Sequence, residues 1–199
     1  MSTSASAPLP GFGAPAVGFD APFDMLKACH DRVLRTLALQ ARLIEHLGTH
    51  GCDASAQSAA HDVLRYFDLA APLHHEDEER HVFPALTSRS GEVGEEVEGG
   101  HAALAAAVAQ LAAEHHAMEV RWAAARQILQ ALAAGSAAAT GPSPLSDEQR
   151  AVLEAFAQAY APHIELEERV VYPAAMARMS AAALAAMGQD MRRRRGVPD

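Results

Sequence analysis

The chain has 199 residues and a mass of 21.0 kDa, half of it hydrophobic, which suits one domain with a sizeable core. A formal charge of −9 excludes the basic face of a nucleic-acid binder, and no apolar run is long enough to span a membrane. Two cysteines, Cys29 and Cys52, are too few for a disulfide framework. Residues 1–10 lack the basic and apolar segments of a signal peptide, so a reduced cytoplasm is the expected location. Abundant alanine and only 5% aromatics favour close-packed helices over a sheet.

Residues 1–21 are rich in Ala, Pro, Gly and Ser without periodicity and read as a flexible, extended arm. From Pro22, the spacing of Met25, Leu26, Val33, Leu34, Leu37, Ile44 and Leu47 predicts a helix that stops near Gly48 and Gly51. A second helix is expected from about Asp53 to Leu86, kinked at Pro72. After an acidic, glycine-containing stretch, Glu92 to Gly100, that reads as a connection or a short helix, a long alanine-rich helix should run from about His101 to Ala134. Gly135 to Pro144 reads as a loop. Ser146-Asp147-Glu148 then opens a fourth helix that continues to about Met179 with Pro162 inside it. A short fifth helix is expected over Ser180 to Met191, followed by Arg192 to Arg195, which reads as a solvated helix end rather than a membrane contact. The expectation is all-α: an up-down-up-down four-helix bundle over 22–180, with 181–199 as a C-terminal helix and basic tail.

An internal repeat carries the chemistry. Shifted by 89 residues, Phe67, His74, Glu78, Glu79, Arg80, Val82, Pro84 and Ala85 fall on Phe156, His163, Glu167, Glu168, Arg169, Val171, Pro173 and Ala174. Phe83 falls on Tyr172. The shared motif is H-x-x-x-E-E-R-x-V-[FY]-P-A. Residues four apart on a helix project about 40° apart and roughly 6 Å along the axis. His74 with Glu78, and His163 with Glu167, are therefore two imidazole–carboxylate half-sites. On two helices they can hold a pair of divalent metals with the carboxylates bridging. His75 and Glu79 also show the spacing, but His75 aligns with Ile164. The repeat thus selects His74 and leaves His75 facing away. It sets Glu79 and Glu168 outside the ligands, on the surface or behind the imidazoles.

The odd-numbered helices should supply further nitrogen ligands. His30 lies among Leu26, Val33, Leu34 and Leu37. On the third helix His115 has Met118 and Trp122 at the offsets where His30 has Val33 and Leu37. His116 points about 100° away, toward solvent. The expected ligands are His30, His74, Glu78, His115, His163 and Glu167.

Their order, with HHEDEERHVFPAL, LAAEHHAMEVRW and HIELEERVVYPAA, resembles the hemerythrin-like (HHE cation-binding) family over residues 22 to 180. The resemblance implies a non-haem di-iron centre bridged by two carboxylates and a solvent oxo or hydroxo group. The four histidines would be terminal ligands, and Glu78 and Glu167 the bridges. Oxygen-carrying hemerythrins have a fifth histidine one turn from the third-helix ligand, where this chain has Leu111 and Glu119. That departure implies a symmetric four-histidine centre rather than simple oxygen carriage. Imidazole and carboxylate suit iron but also manganese and zinc. Three functions compete: a protein that binds or senses oxygen, nitric oxide or iron; a di-iron enzyme of peroxide or oxygen chemistry; and a metal-free helical interaction module. Metal analysis separates the third from the others.

Overall fold

The structure, a computed structural model, describes residues 18–88, 95–135 and 145–197, with the backbone alone for 95–99. The expected arm as far as residue 17 and most of the loop before Leu145 lie outside the described residues. Helix α1 spans Pro22–His50, with Pro22 in its first turn, where a missing N–H costs nothing. It ends at Gly51, whose φ of 75° is open to glycine at little cost. Helix α2 covers 54–87 and is capped by Asp53, whose side chain accepts from the Ala56 N–H at 2.9 Å. Helix α3 is Glu95–Ala133, six residues longer at its start than the sequence suggested. The Gly99-Gly100 pair lies inside it, since glycine costs a helix about 1 kcal/mol but does not forbid it. Helix α4, Asp147–Arg178, opens with a capping box between Ser146 and Gln149. Helix α5, Ala181–Arg194, turns back at 119° to α4. No strand occurs among the described residues.

Two apolar clusters stack along the bundle, and their order along each helix gives the topology. A proximal core contains Phe23 and Leu26 of α1, Val82 and Leu86 of α2, Val108 and Leu111 of α3, and Val171 and Ala175 of α4. A distal core contains Leu37 and Leu47, Ala60 and Phe67, Leu129 and Leu132, and Leu153 and Phe156. Along α1 and α3 the proximal residues come first, and along α2 and α4 they come last. The four helices therefore alternate in direction, the up-down-up-down arrangement. On every helix the histidines of interest fall between the two clusters. Each fully buried large apolar side chain contributes about 1.5–3 kcal/mol, so the apolar layers support the polar one between them.

The helix runs through Pro72, and the departure from α geometry in α2 comes six residues later. A π-helical turn occupies Glu78–Val82 in α2 and another Glu167–Val171 in α4, equivalent positions of the repeat. In each the N–H that closes the turn belongs to an aromatic residue: Phe83 donates to the Glu78 carbonyl and Tyr172 is placed likewise on Glu167. Pro84 and Pro173 follow directly. Proline cannot donate and its ring crowds the carbonyl four residues back, which favours the widened turn just before it.

Helix α5 closes the proximal end. Met187 and Met191 enter the proximal core. Gly188 lets the chain at Phe19 pass so close that an added Cβ would meet the Phe19 carbonyl oxygen at 1.9 Å. The basic run does not simply face solvent, as the sequence suggested. Arg194 and Arg195 turn inward onto the fully buried Asp77, with Arg195 Nη2 at 2.6 Å from its Oδ2. Arg193, which pairs with Asp190, is largely exposed.

Candidate metal centre

The layer between the two cores is built from charged and imidazole side chains that are almost sealed from water. Glu78 and Glu167 are 0% exposed, and His30, His74, His115 and His163 are 2–4% exposed. The structure thus brings all six residues singled out in the sequence to one place. It adds a seventh, His75, at 9%.

The donor atoms fall into two groups. One holds His30, His74, Glu78 and Glu167; the other holds His75, His115 and His163. The two carboxylates reach toward both. Glu167 Oε2 lies 3.0 Å from His30 Nε2, whereas its Oε1 lies 2.8 Å from His163 Nε2. Glu78 Oε1 lies 3.6 Å from His74 Nε2, and its Oε2 3.4 Å from His115 Nε2.

The reading that only one of two neighbouring histidines can face the centre is corrected here. Taking His74 as zero, His75 lies about 100° round the helix and Glu78 about 40°. The carboxylate therefore projects between the two imidazoles. A bundle helix buries a face at least that wide. His74 points toward His30 on α1, with Nε2 atoms 3.0 Å apart, and His75 stacks on His115 of α3, with centroids 3.9 Å apart. A fifth imidazole is present, supplied by α2 instead of α3.

The outward ring nitrogens are fixed by carboxylates at the rim. His30 Nδ1 donates to Glu168, His115 Nδ1 to Glu79 and His163 Nδ1 to Glu114, each at 2.8 Å. A carboxylate can only accept, so Nδ1 carries a proton and Nε2 is the nitrogen turned inward, where a cation would have to replace any proton on it. Glu79 and Glu168 lie where the repeat put them, behind the imidazoles. Glu114 went unnoticed in the sequence.

Short distances here do not amount to satisfied hydrogen bonds. Among the described residues, His74 Nδ1, Glu78 Oε2, His115 Nε2, His163 Nε2 and both Glu167 oxygens are buried without a hydrogen-bond partner. Apart from His74 Nδ1, whose ring meets the centre through Nε2, they gather around shared points instead of lining up donor to acceptor. Leaving such atoms unpaired costs about 1–3 kcal/mol each, and more when charged. Two donors each about 2.1 Å from one ion and at right angles would lie roughly 3 Å apart; the spacings found run from 2.8 Å at Glu167 to 3.6 Å at Glu78. The residues fit a pair of cations.

Charge tells the same story. Burial disfavours protonated imidazole, yet Glu167 and Glu168 outweigh it and raise the pKa of His30, as Glu167 and Glu114 do for His163. Burial likewise opposes protonation of His115, but Glu167 and Glu78 push its pKa up to about 10. Burial and neighbouring imidazoles hold His74 and His75 well below the usual histidine range. Burial and the Glu167 charge push Glu78 up to about 7, while the histidines around Glu167 overcome its burial and hold it well below the usual carboxylate range. Without cations the site keeps protons in their place, and a cation must displace them.

Aromatic rings line the centre symmetrically. Phe83 stacks on His115 and Tyr172 on His30, both with centroids 5.6 Å apart. The Tyr172 hydroxyl donates to Glu78 Oε1 and lies 3.2 Å from His30 Nε2. Its burial is complete. Other histidines stay outside: His46 pairs with Asp53 at the surface, His81 meets Asp190, and His116 is largely exposed. Cys29 and Cys52 are free thiols and take no place in either group.

Comparison with known proteins agrees with this geometry. A curated protein of Haemophilus influenzae described as uncharacterized is 29% identical over 178 residues, covering 89% of this chain and 92% of that protein. The model of the hemerythrin HHE cation binding domain matches residues 21–175, which include the whole donor layer. The chain belongs to the hemerythrin HHE cation-binding family.

Proposed function

We propose that the chain binds two iron ions at a carboxylate-bridged centre and uses them to bind or sense oxygen, nitric oxide or iron itself, in the cytoplasm. The observation that supports this reading is the set of buried, unpaired donor atoms divided into two groups that share Glu78 and Glu167. A metal-free interaction module would have no use for two carboxylates and five imidazoles buried at such cost. Manganese or zinc would satisfy the same donors, and iron is preferred for its redox chemistry.

When bound, the metal pair would supply electron transfer and Lewis-acid binding of a small ligand, with an oxo or hydroxo group between the ions. The chain does the rest. Glu114, Glu79 and Glu168 hold three imidazoles in the tautomer that can ligate. Leu111 and Phe83 on the proximal side, and Met118 on the distal side, exclude water from the layer. Glu78 and Glu167 spread negative charge across both positions, offsetting part of the cation repulsion.

The test is metal quantitation on the purified full-length chain together with an absorption spectrum in air. About two irons per chain and the near-ultraviolet bands of an oxo-bridged pair are expected. Zinc or manganese in place of iron would keep the centre and remove the redox role. A chain that takes up no metal would return the interaction module to first place.

A further inference from the structure

The two donor groups are not equal, and the repeat shows where they differ. The group of His75, His115 and His163 has three imidazoles, and with the two carboxylates it offers five protein donors. The group of His30 and His74 has two imidazoles and the same carboxylates, which makes four. Where the first repeat has His75, the second has Ile164, which is buried and has no donor atom. Where the first repeat has Phe83, the second has Tyr172. Each ring stacks on the histidine of its own side, so the two aromatics are structural equivalents. The oxygen appears on the side that lacks the third imidazole.

We propose that the phenol oxygen of Tyr172 is a protein ligand of the metal held by His30 and His74, doing there what His75 does at the other position. This inference rests on the dimetal reading above and adds to its ligand set. The hydroxyl stands within the donor group: it contacts Glu78 Oε1 and lies 3.2 Å from His30 Nε2, much as His30 Nε2 and His74 Nε2 are 3.0 Å apart. That is the spacing expected of neighbouring donors around one ion. The side chain is fully buried, so no solvent competes for the hydroxyl.

The π turn is what brings the ring to the site. Tyr172 is five residues beyond Glu167, which on a regular α-helix would place it about 140° away from that carboxylate. The wider turn over Glu167–Val171 brings the two back to one face. Ring position is then fixed by the stack on His30 and the edge contact with Phe23 at 5.6 Å.

Ligation replaces the phenol O–H bond with an oxygen–metal bond, and the proton passes to solvent. No oxidant or reductant is consumed. With Tyr172 in place both positions would have five protein donors, which would leave less room for an oxygen or nitric oxide molecule on the His30 side. Tyr172 would set which small ligands gain access.

The experiment uses the full-length chain loaded with iron, and reads metal content, visible absorption and resonance Raman scattering. A phenolate bound to ferric iron gives a visible charge-transfer band whose excitation enhances tyrosine ring modes. Wild type and Tyr160→Phe, a change in the distal core, are expected to show both, and Tyr172→Phe to keep two irons and lose both. As a second readout, loading metal-free wild type with zinc should release one more proton per chain than loading Tyr172→Phe. Two irons in the wild type without phenolate modes would overturn the inference while leaving the dimetal centre intact. So would modes that survive in Tyr172→Phe. Should that variant fail to fold, the wild-type Raman spectrum alone decides. An absence of bound metal would overturn both readings.

Discussion

The distal core and the donor layer occupy the same four helices, with the core rings about two turns from the donor histidines, yet they are held by opposite physics. In the distal core Phe67, Trp122 and Phe156 meet ring to ring, with centroids 4.9–5.2 Å apart, and Leu129, Leu132 and Leu153 are fully or almost fully buried. The charged contact of this core is at the rim, where the Trp122 indole N–H donates to Asp68 at 3.0 Å, and the packing itself is apolar. The donor layer is as well buried, but its atoms are satisfied only in part by one another. The difference teaches that burial alone does not mark a stabilising layer. The apolar core favours folding, whereas the donor layer costs stability until something positive occupies it. The bundle therefore carries a site that it does not need for its shape.

The comparison breaks most sharply at the carboxylates. Replacing Glu78 and Glu167 together by alanine should abolish binding at both positions, since each supplies an oxygen to both groups. The same change should also lower the stability of the metal-free protein at neutral pH, because it takes away the carboxylates that hold the protons of His30, His115 and His163 and leaves space behind. Elemental analysis and thermal melting check the two halves. Full metal retention would show that the donors lie elsewhere.

The next effect divides the layer itself. His74→Ala and His75→Ala should each lower metal content toward one ion per chain, because the two histidines belong to different groups. Elemental analysis of the two variants side by side is the measurement. Unchanged metal content in His75→Ala would return the centre to four histidines.

These two residues also show how far the sequence could be read. His74, Glu78, His163 and Glu167 were visible because the repeat recurs without a gap, and His30 and His115 because their apolar neighbours turn them inward. His75 was lost by treating a buried helix face as narrower than one residue step. The signal was present, since Glu78 lies in azimuth between the two histidines. Tyr172 was out of reach of α-helical spacing, although the aromatic-proline pair in both repeats marks the place where that spacing fails. Glu114 and the Asp77 contacts with Arg194 and Arg195 had no local signal at all. They join residues 49, 117 and 118 positions apart. The helices themselves were legible from periodicity, capping residues and glycines, save for the start of α3, which lies at Glu95 inside the acidic stretch instead of at His101.

The distal core should respond in the opposite way to the donor layer. Leu153 is fully buried there, so Leu153→Ala leaves a cavity and should cost about 2–5 kcal/mol of stability. The folded variant should still bind the same amount of metal. The loss should be similar with and without metal, as read by denaturant unfolding of both forms. A large drop in metal stoichiometry at full folding would mean that the two layers are not independent.

The smallest effect lies at the proximal end, where α5 covers the layer from outside. Asp190 meets His81 Nε2 at 2.9 Å and Arg194 Nε at 2.8 Å. The hydrogen bond from His81, followed by those arginine contacts, lowers its pKa from 3.8 to about 2 against the opposing effect of burial. A carboxyl that is more acidic when folded adds stability that is complete above its unfolded pKa and is lost as pH falls toward the folded one. The Asp190 contribution should thus be constant from neutral pH down to about 4 and fade between about 4 and 2. Asp190→Asn removes the charge while keeping the shape. Metal-free wild type should melt a few degrees above metal-free Asp190→Asn at pH 6, and the gap should narrow steadily below pH 4. Metal-free samples are needed because acid also removes metal from the imidazoles, which would add a much larger change of the same sign. A gap of constant size down to pH 3 would mean that Asp190 acts by packing alone. In that case the closure of the proximal end rests on Met187, Met191 and the buried Asp77, and the cover over the donor layer owes little to its outermost charge.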